Sequence, residues 1–217
     1  MKNLIKNIRQ NILSSFIVFA FGINAQNVQT AIELEKLNVL YVGIENPIKI
    51  VCTEKFDSIT YNNGKIITTR TNMPSNYLDC LLFPITNNES IVNLYSSGKC
   101  ISTKIFRTKR IPVPEIKIAG IYNPEKIKKS ILTSIEAIDA GIPGFDFNIS
   151  FQIIQIEFLG KSKDKIYEYN LIGNSINSLI KDFLCNLDIN SKLFMDFKIK
   201  GPDGRIISST VGIKVID

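Results

Sequence analysis

Apolar side chains recur at every second position, in short runs, through the first half of the chain. Leu37, Val39 and Tyr41 alternate with polar or smaller residues before Gly43 and Asn46-Pro47 bend the backbone. Ile48, Ile50 and Cys52 alternate next, with Lys49 between them. Residues 59–61 and 65–68 flank Asn62-Asn63-Gly64, which predicts a hairpin because an Asn-Gly step tolerates positive φ. Tyr77–Phe83 reads as a strand closed by Pro84, and residues 91–95 and 100–106 flank a turn at Ser96–Lys99. A period of two puts every second side chain on one face of a sheet. About seven short strands, frequent turns and no helix predict an immunoglobulin-like β-sandwich over residues 28–110. The chain has no tryptophan, so this likeness extends to architecture only.

The period changes in the second half. Asn123-Pro124-Glu125 has the form of a helix start, with a capping side chain, proline at the first position and an acid near the positive end. Ile127, Ile131, Ile135 and Ile138 then recur at helical spacing, and Gly141 is placed to cap the C-terminus. Phe145–Phe158 reads as the longest strand. Its apolar set occupies odd positions up to Ile153 and even positions from Ile154, which predicts a β-bulge near Ile153–Ile154. Lys161–Lys165 is a charged turn, and Ile166–Asn170 a short strand. Ile176, Leu179, Ile180, Phe183, Leu184 and Leu187 predict an amphipathic helix capped by Asn174 or Ser175. Leu193, Met195, Phe197 and Ile199 alternate in a strand; Gly201-Pro202-Asp203-Gly204 is a tight turn; Val211, Ile213 and Val215 belong to a closing strand. Two helices on an antiparallel sheet give an α+β domain over residues 112–217.

Between the halves stands Ile111-Pro112-Val113-Pro114. Neither Pro112 nor Pro114 can donate a backbone hydrogen bond, and both hold the residue before them extended. The segment predicts either a stiff hinge between two domains or a proline-interrupted edge strand within one.

The 217 residues are 45% hydrophobic, which suffices for a packed core. The net charge is +6, of which Lys2, Lys6 and Arg9 supply half, and the remaining basic residues are scattered. That balance gives no argument for nucleic-acid binding. Residues 1–25 follow the basic, apolar, small-residue order of a cleaved signal peptide, and no later segment is apolar enough to span a bilayer. The expected location is the periplasm. Export permits disulfides, and four cysteines allow three complete pairings. Cys80 and Cys100 are the favoured pair, with no bridge at all as the alternative, and Cys185 is expected to be a buried thiol. Without histidine, Ser-His-Asp, Cys-His and the usual metal chemistries are absent. Asp139, Asp146, Asp182, Asp188 and Asp203 form no defensible catalytic pairing. No catalytic, cofactor or metal residue is assigned, and an enzyme is not expected. Tyr41, Tyr61, Tyr77 and Tyr95 fit either partner contacts or the sandwich core and rim.

Several stretches together resemble the terminal periplasmic domains of the GldM (PorM) family of gliding-motility and type IX secretion proteins. They are residues 35–47, Gly98-Lys99-Cys100, residues 109–114, Ile118-Ala119-Gly120, Phe145-Asp146-Phe147 and Gly201-Pro202-Asp203-Gly204. The resemblance covers residues 30–217 and implies a non-catalytic, dimeric component that contacts the outer-membrane-associated GldK/GldN ring. This sequence departs from the family in passing from a leader directly into the penultimate domain. The competing expectation is a stand-alone periplasmic binding or adhesin-like β-module.

Overall fold

The computed structural model describes residues 30–34, 38–69, 72–163 and 165–217; the leader expected over 1–25 lies outside them. The protein is mainly β, with two short helices among the described residues. Strands β1 (Thr30–Leu34), β2 (Val39–Tyr41), β3 (Asn46–Phe56), β4 (Ser58–Tyr61), β5 (Gly64–Thr68), β6 (Ser75–Pro84), β7 (Ser90–Ser96) and β8 (Lys99–Lys109) form the first body. They make two four-stranded sheets, ordered β1-β3-β6-β5 and β2-β8-β7-β4. The order is that of an immunoglobulin-type sandwich, with β2 added in parallel beside β8. Alternation does what it predicts: Ile48, Ile50 and Cys52 of β3 line one wall of the core beside Leu78, Cys80 and Leu82 of the neighbouring β6, facing Val92, Leu94 and Phe106 of the other sheet.

The Asn62-Asn63-Gly64 turn is not a hairpin. β4 pairs with β7 and β5 pairs with β6, so the turn carries the chain from one sheet to the other. The signal for positive φ is correct, since Gly64 has φ +124°. What the turn joins is decided by Asn63, whose buried amide donates to Thr86 O, Asn88 O and Ser90 Oγ and accepts from Thr86 N and Oγ1. These bonds fasten the turn to the loop before β7. The β7–β8 connection is a true hairpin, closed by Ser97 (φ 50°) and Gly98 (φ 77°).

The second body comprises β9 (Glu115–Ile118), β10 (Ile121–Tyr122), β11 (Lys126–Lys128), α1 (Lys129–Ser134), β12 (Asp139–Gly141), β13 (Gln152–Ser162), β14 (Lys165–Ile172), α2 (Ser178–Asn186), β15 (Lys192–Lys200) and β16 (Ile206–Ile216). Its main sheet has the order β11-β16-β15-β13-β14, antiparallel except where β11 runs parallel to β16. β10-β9-β12 form a small separate sheet. Both helices are apolar toward the main sheet. Gly160 marks where α2 rests on it: a Cβ there would lie 2.8 Å from Leu187 and Phe183 side-chain atoms. The register of β13 against β15 shifts between Ile153 and Gln155, the bulge that the parity change predicts.

Three expectations for this half are corrected. The helix from Asn123 to Gly141 is instead strand β11, the short helix α1 and strand β12. Ile127, Ile135 and Ile138 are buried, but by different elements, and Ile131 is exposed. β11 forms because the edge of β16 is open to it, and parallel pairing outcompetes a helix of β-branched residues. Asn123 caps no helix; it has φ 43° and its side chain accepts from Ile116 N. The strand expected from Phe145 enters its ladder only at Gln152. Finally, α2 is capped by Asn177, whose Oδ1 accepts from Ile180 N at 3.0 Å, and not by Asn174 or Ser175.

Candidate functional site: the braced junction and an open sheet face

Two cores are present among the described residues, one drawn from residues 40–106 and the other from 116–215. The segment between them contains the prolines singled out in the sequence. Residues 110–114 belong to no strand or helix; Pro112 is exposed and Pro114 is buried. Ile111 is also buried, and its carbonyl accepts a 3.0 Å hydrogen bond from Arg205 Nη2. That bond ties the joint to the tight turn between β15 and β16.

The same turn reaches the first body. Gly43 has φ +80°, and a Cβ on it would lie 2.4 Å from Asp203 Cα. Glycine is therefore required twice over, by backbone conformation and by contact. The Asp203 side chain is 1% exposed and is ion-paired to Arg205. Backbone bonds from Val42 N to Lys109 O and from Gly43 N to Pro84 O, each 3.0 Å, hold the first body's side of the contact. The turn itself closes through Gly201 N to Arg205 O and Gly204 N to Gly201 O.

Aromatic packing adds a second brace. Tyr41 meets Phe145 and Phe147 edge-on, with ring centroids 5.1 and 5.4 Å away. Such pairs contribute roughly 0.5–1.5 kcal/mol each beyond area burial. This explains residues 145–151. Alternate residues are half-buried, as a strand's would be, but Phe145 and Phe147 pack across the junction on Tyr41 and Phe151 packs on the second core, without a ladder partner. Beside this arm lies a groove of about 640 Å³ walled by Pro47, Leu81, Phe83, Phe147 and Pro202.

The second surface is the face of the main sheet opposite the helices. Leu159, Phe194 and Ile166 are 42%, 42% and 75% exposed there. They line a shallow apolar depression of about 260 Å³. Each sits where alternation calls for a polar residue, the signal by which the sequence could have shown it. Gly43 and Arg205 carried no comparable signal, since their roles depend on a contact between distant segments.

The expected Cys80–Cys100 bridge is not formed. Cys80 faces the core from β6, whereas Cys100 is exposed on β8 in the other sheet. Burial pushes the Cys80 thiol up to about 12, with a smaller contribution from the Asp79 carboxylate. Its thiolate is thereby suppressed, which removes it as a nucleophile. Cys185, expected to be buried, is exposed on α2 because its position falls outside the stripe of Ile180, Phe183 and Leu184. Burial also raises the Tyr61 phenol, against a lowering by its hydrogen bond to Ser90. Asp203 braces the junction, Asp188 accepts from Lys163 N, and Asp139, Asp146 and Asp182 are exposed. Among the described residues no three acids or cysteines are grouped to hold a metal. No helix described is long and apolar enough to cross a membrane.

No family model matches this chain, and no curated protein matches it. Among solved structures, it is similar to the Yersinia pseudotuberculosis adhesin InvE at 10% identity, over 89% of this chain and 62% of that one, with a TM-score of 0.33. The chain thus spans less than two thirds of the InvE structure. It is also similar to the fibronectin(III)-like modules of Clostridium thermocellum CbhA (12% identity, 86% of this chain, 94% of that chain, TM-score 0.26). Domains 6–7 of the surface layer protein SbsC are a third (8%, 87%, 99%, 0.32). At this distance nothing these proteins do carries over.

Proposed function

We propose that this chain is a non-catalytic, exported protein–protein interaction component, similar to the terminal domains of the GldM/PorM family, acting in type IX secretion or gliding motility. Its surroundings are the periplasm, and its partners on this reading are proteins of the GldK/GldN-type ring, with dimerisation as in that family. The observation that carries the interaction reading is the braced junction. Asp203 against Gly43, Arg205 on Ile111 O, and Tyr41 between Phe145 and Phe147 hold the two bodies at one angle. A fixed angle serves a component that must present two surfaces to one partner, because little orientational freedom is lost on docking. The exposed apolar patch on the main sheet gives such a partner a surface to grip. The absence of histidine and the suppressed Cys80 thiolate are in keeping with a protein that works by contact.

The test is affinity capture with the tagged full chain from envelope extracts of the producing cells. Enrichment of ring or shaft proteins, identified by mass spectrometry, is the expected result. Intact envelope fractions yielding no secretion-ring protein would instead support a stand-alone periplasmic binding or adhesin-like module.

A further inference from the structure

The pairing register of the main sheet sets four lysines in one row on its open face. Lys192 of β15 lies opposite Lys214 of β16, and Lys214 lies opposite Lys126 of β11. On the other side of β15, Gly160 opposes Leu193, which brings Lys161 of β13 beside Lys192. All four are exposed, while their chain neighbours Gly160, Ile127, Leu193 and Ile213 are buried beneath the helices. Neighbouring strands stand about 4.8 Å apart, so the row concentrates like charge along roughly 14 Å. Like charges directly opposite one another destabilise a sheet. Among the described residues no carboxylate lies within ion-pair distance of Lys126, Lys192 or Lys214.

The next row inward is the apolar one. Leu159 opposes Phe194, and Phe194 opposes Gly212. The Phe194 ring lies so close over Gly212 that a Cβ there would be 3.0 Å away. Ile166, opposite Lys161, closes the depression. The sign of the charge changes from here: Glu168 ends the apolar row beside Leu159, and one row further Glu157 opposes Asp196. The face therefore runs from cationic to apolar to anionic over three rows.

We infer that this face docks an acidic segment of a partner protein, one aliphatic or aromatic side chain of which fills the depression at Leu159, Ile166 and Phe194 while its carboxylates lie along the lysine row. The polarity of the face selects this occupant. A bilayer of anionic lipid or a nucleic acid presents negative charge over the whole area and would meet Glu168, Glu157 and Asp196 unfavourably. A short acidic segment with one apolar anchor meets only the lysine row and the depression. The inference rests on the protein-interaction reading above and gives that reading the chemistry of the partner.

The probe is a fluorescein-labelled peptide of one leucine followed by glutamates, titrated with the full chain and read by fluorescence anisotropy. Its control replaces the glutamates with lysines. The acidic peptide is expected to bind, and to bind more weakly as salt is raised. Lys192→Glu/Lys214→Glu lowers its affinity by about tenfold or more and transfers preference to the lysine peptide, since reversing the charge turns each rim attraction into a repulsion. Phe194→Ser weakens both. Unaltered affinity for the acidic peptide in the double variant overturns the inference. So does binding to phosphatidylglycerol vesicles with none to the acidic peptide. Running the double variant in the envelope capture separates the two claims. Ring proteins recovered equally by both proteins remove the lysine surface and leave the docking function standing. Peptide binding by a wild-type chain that captures no ring protein removes the secretion role and leaves the surface.

Discussion

The backbone of Asp203 presses on Gly43 so closely that the space for a β-carbon does not exist: the distance would be 2.4 Å. Gly43 also has φ +80°, which a side chain disfavours. Gly43→Ala is expected to cost about 2 kcal/mol or more, combining positive-φ strain with displacement of the turn. Urea denaturation measures the loss. Tryptic cleavage after Lys109 or Arg110 should also accelerate under conditions where the first body stays folded, because the segment ending in buried Ile111 is released. Unchanged cleavage would show that the contact is incidental.

Arg205 carries a related expectation. Its removal leaves the Asp203 carboxylate, 1% exposed, without its cation, and leaves Ile111 O without its donor. Arg205 itself is about one third exposed, so screening discounts the effect. Arg205→Ala should destabilise by about 1–3 kcal/mol, the cost of orphaning buried polar groups. A double-mutant cycle with Asp203→Asn should show that much of this is shared between the two residues.

Asn63 is the clearest single point of failure in the first body. Its amide makes three donor and two acceptor bonds, all to residues 86–90. Asn63→Ala is expected to cost about 2–4 kcal/mol, since several buried partners lose their bonds together. Asn63→Asp should rescue little, because a carboxylate cannot donate to Thr86 O and Asn88 O. Chemical denaturation of the two variants side by side tests both statements.

Cys80 gives a prediction in pH. Its folded value, about 12, lies above its ordinary value of 9.0. Between these values the unfolded chain releases the thiol proton and the folded chain keeps it, so the unfolded state gains. The contribution of this group is fully present below pH 9 and is lost as pH rises toward 12, with a limiting slope of about 1.4 kcal/mol per pH unit. Cys80→Val should flatten that alkaline limb, with Tyr61→Phe as the control for a half-buried phenol that burial also raises. In native protein Ellman's reagent should modify Cys100 and Cys185, both exposed, and spare Cys80 until denaturant is added.

What was legible in the sequence was what a single strand decides for itself. Leu193, Met195, Phe197 and Ile199 alternate because one face of β15 is covered, and they are all buried. The bulge showed because an extra residue at Ile154 leaves a change of parity in the apolar set. What misled was pattern whose cause lies elsewhere in the chain. The isoleucines from 127 to 138 have helical spacing, yet the open edge of β16 takes the first of them into a strand. Phe145 and Phe147 alternate like a strand because the alternate side chains pack on Tyr41 of the other body. Asn62-Asn63-Gly64 has hairpin chemistry but serves a crossing between sheets, which only the partners of Asn63 reveal.

The junction also has a history in time. Gly43 and Asp203 lie some 160 residues apart, and the turn that joins them is held between the last two strands of the main sheet. As the chain emerges from a ribosome or a translocation pore, the sandwich can close long before that turn exists. For that interval only the proline segment relates the parts, and their mutual attitude is set last, when β16 zips onto β15. A chain interrupted within its final two strands would keep its first body and lose its aim.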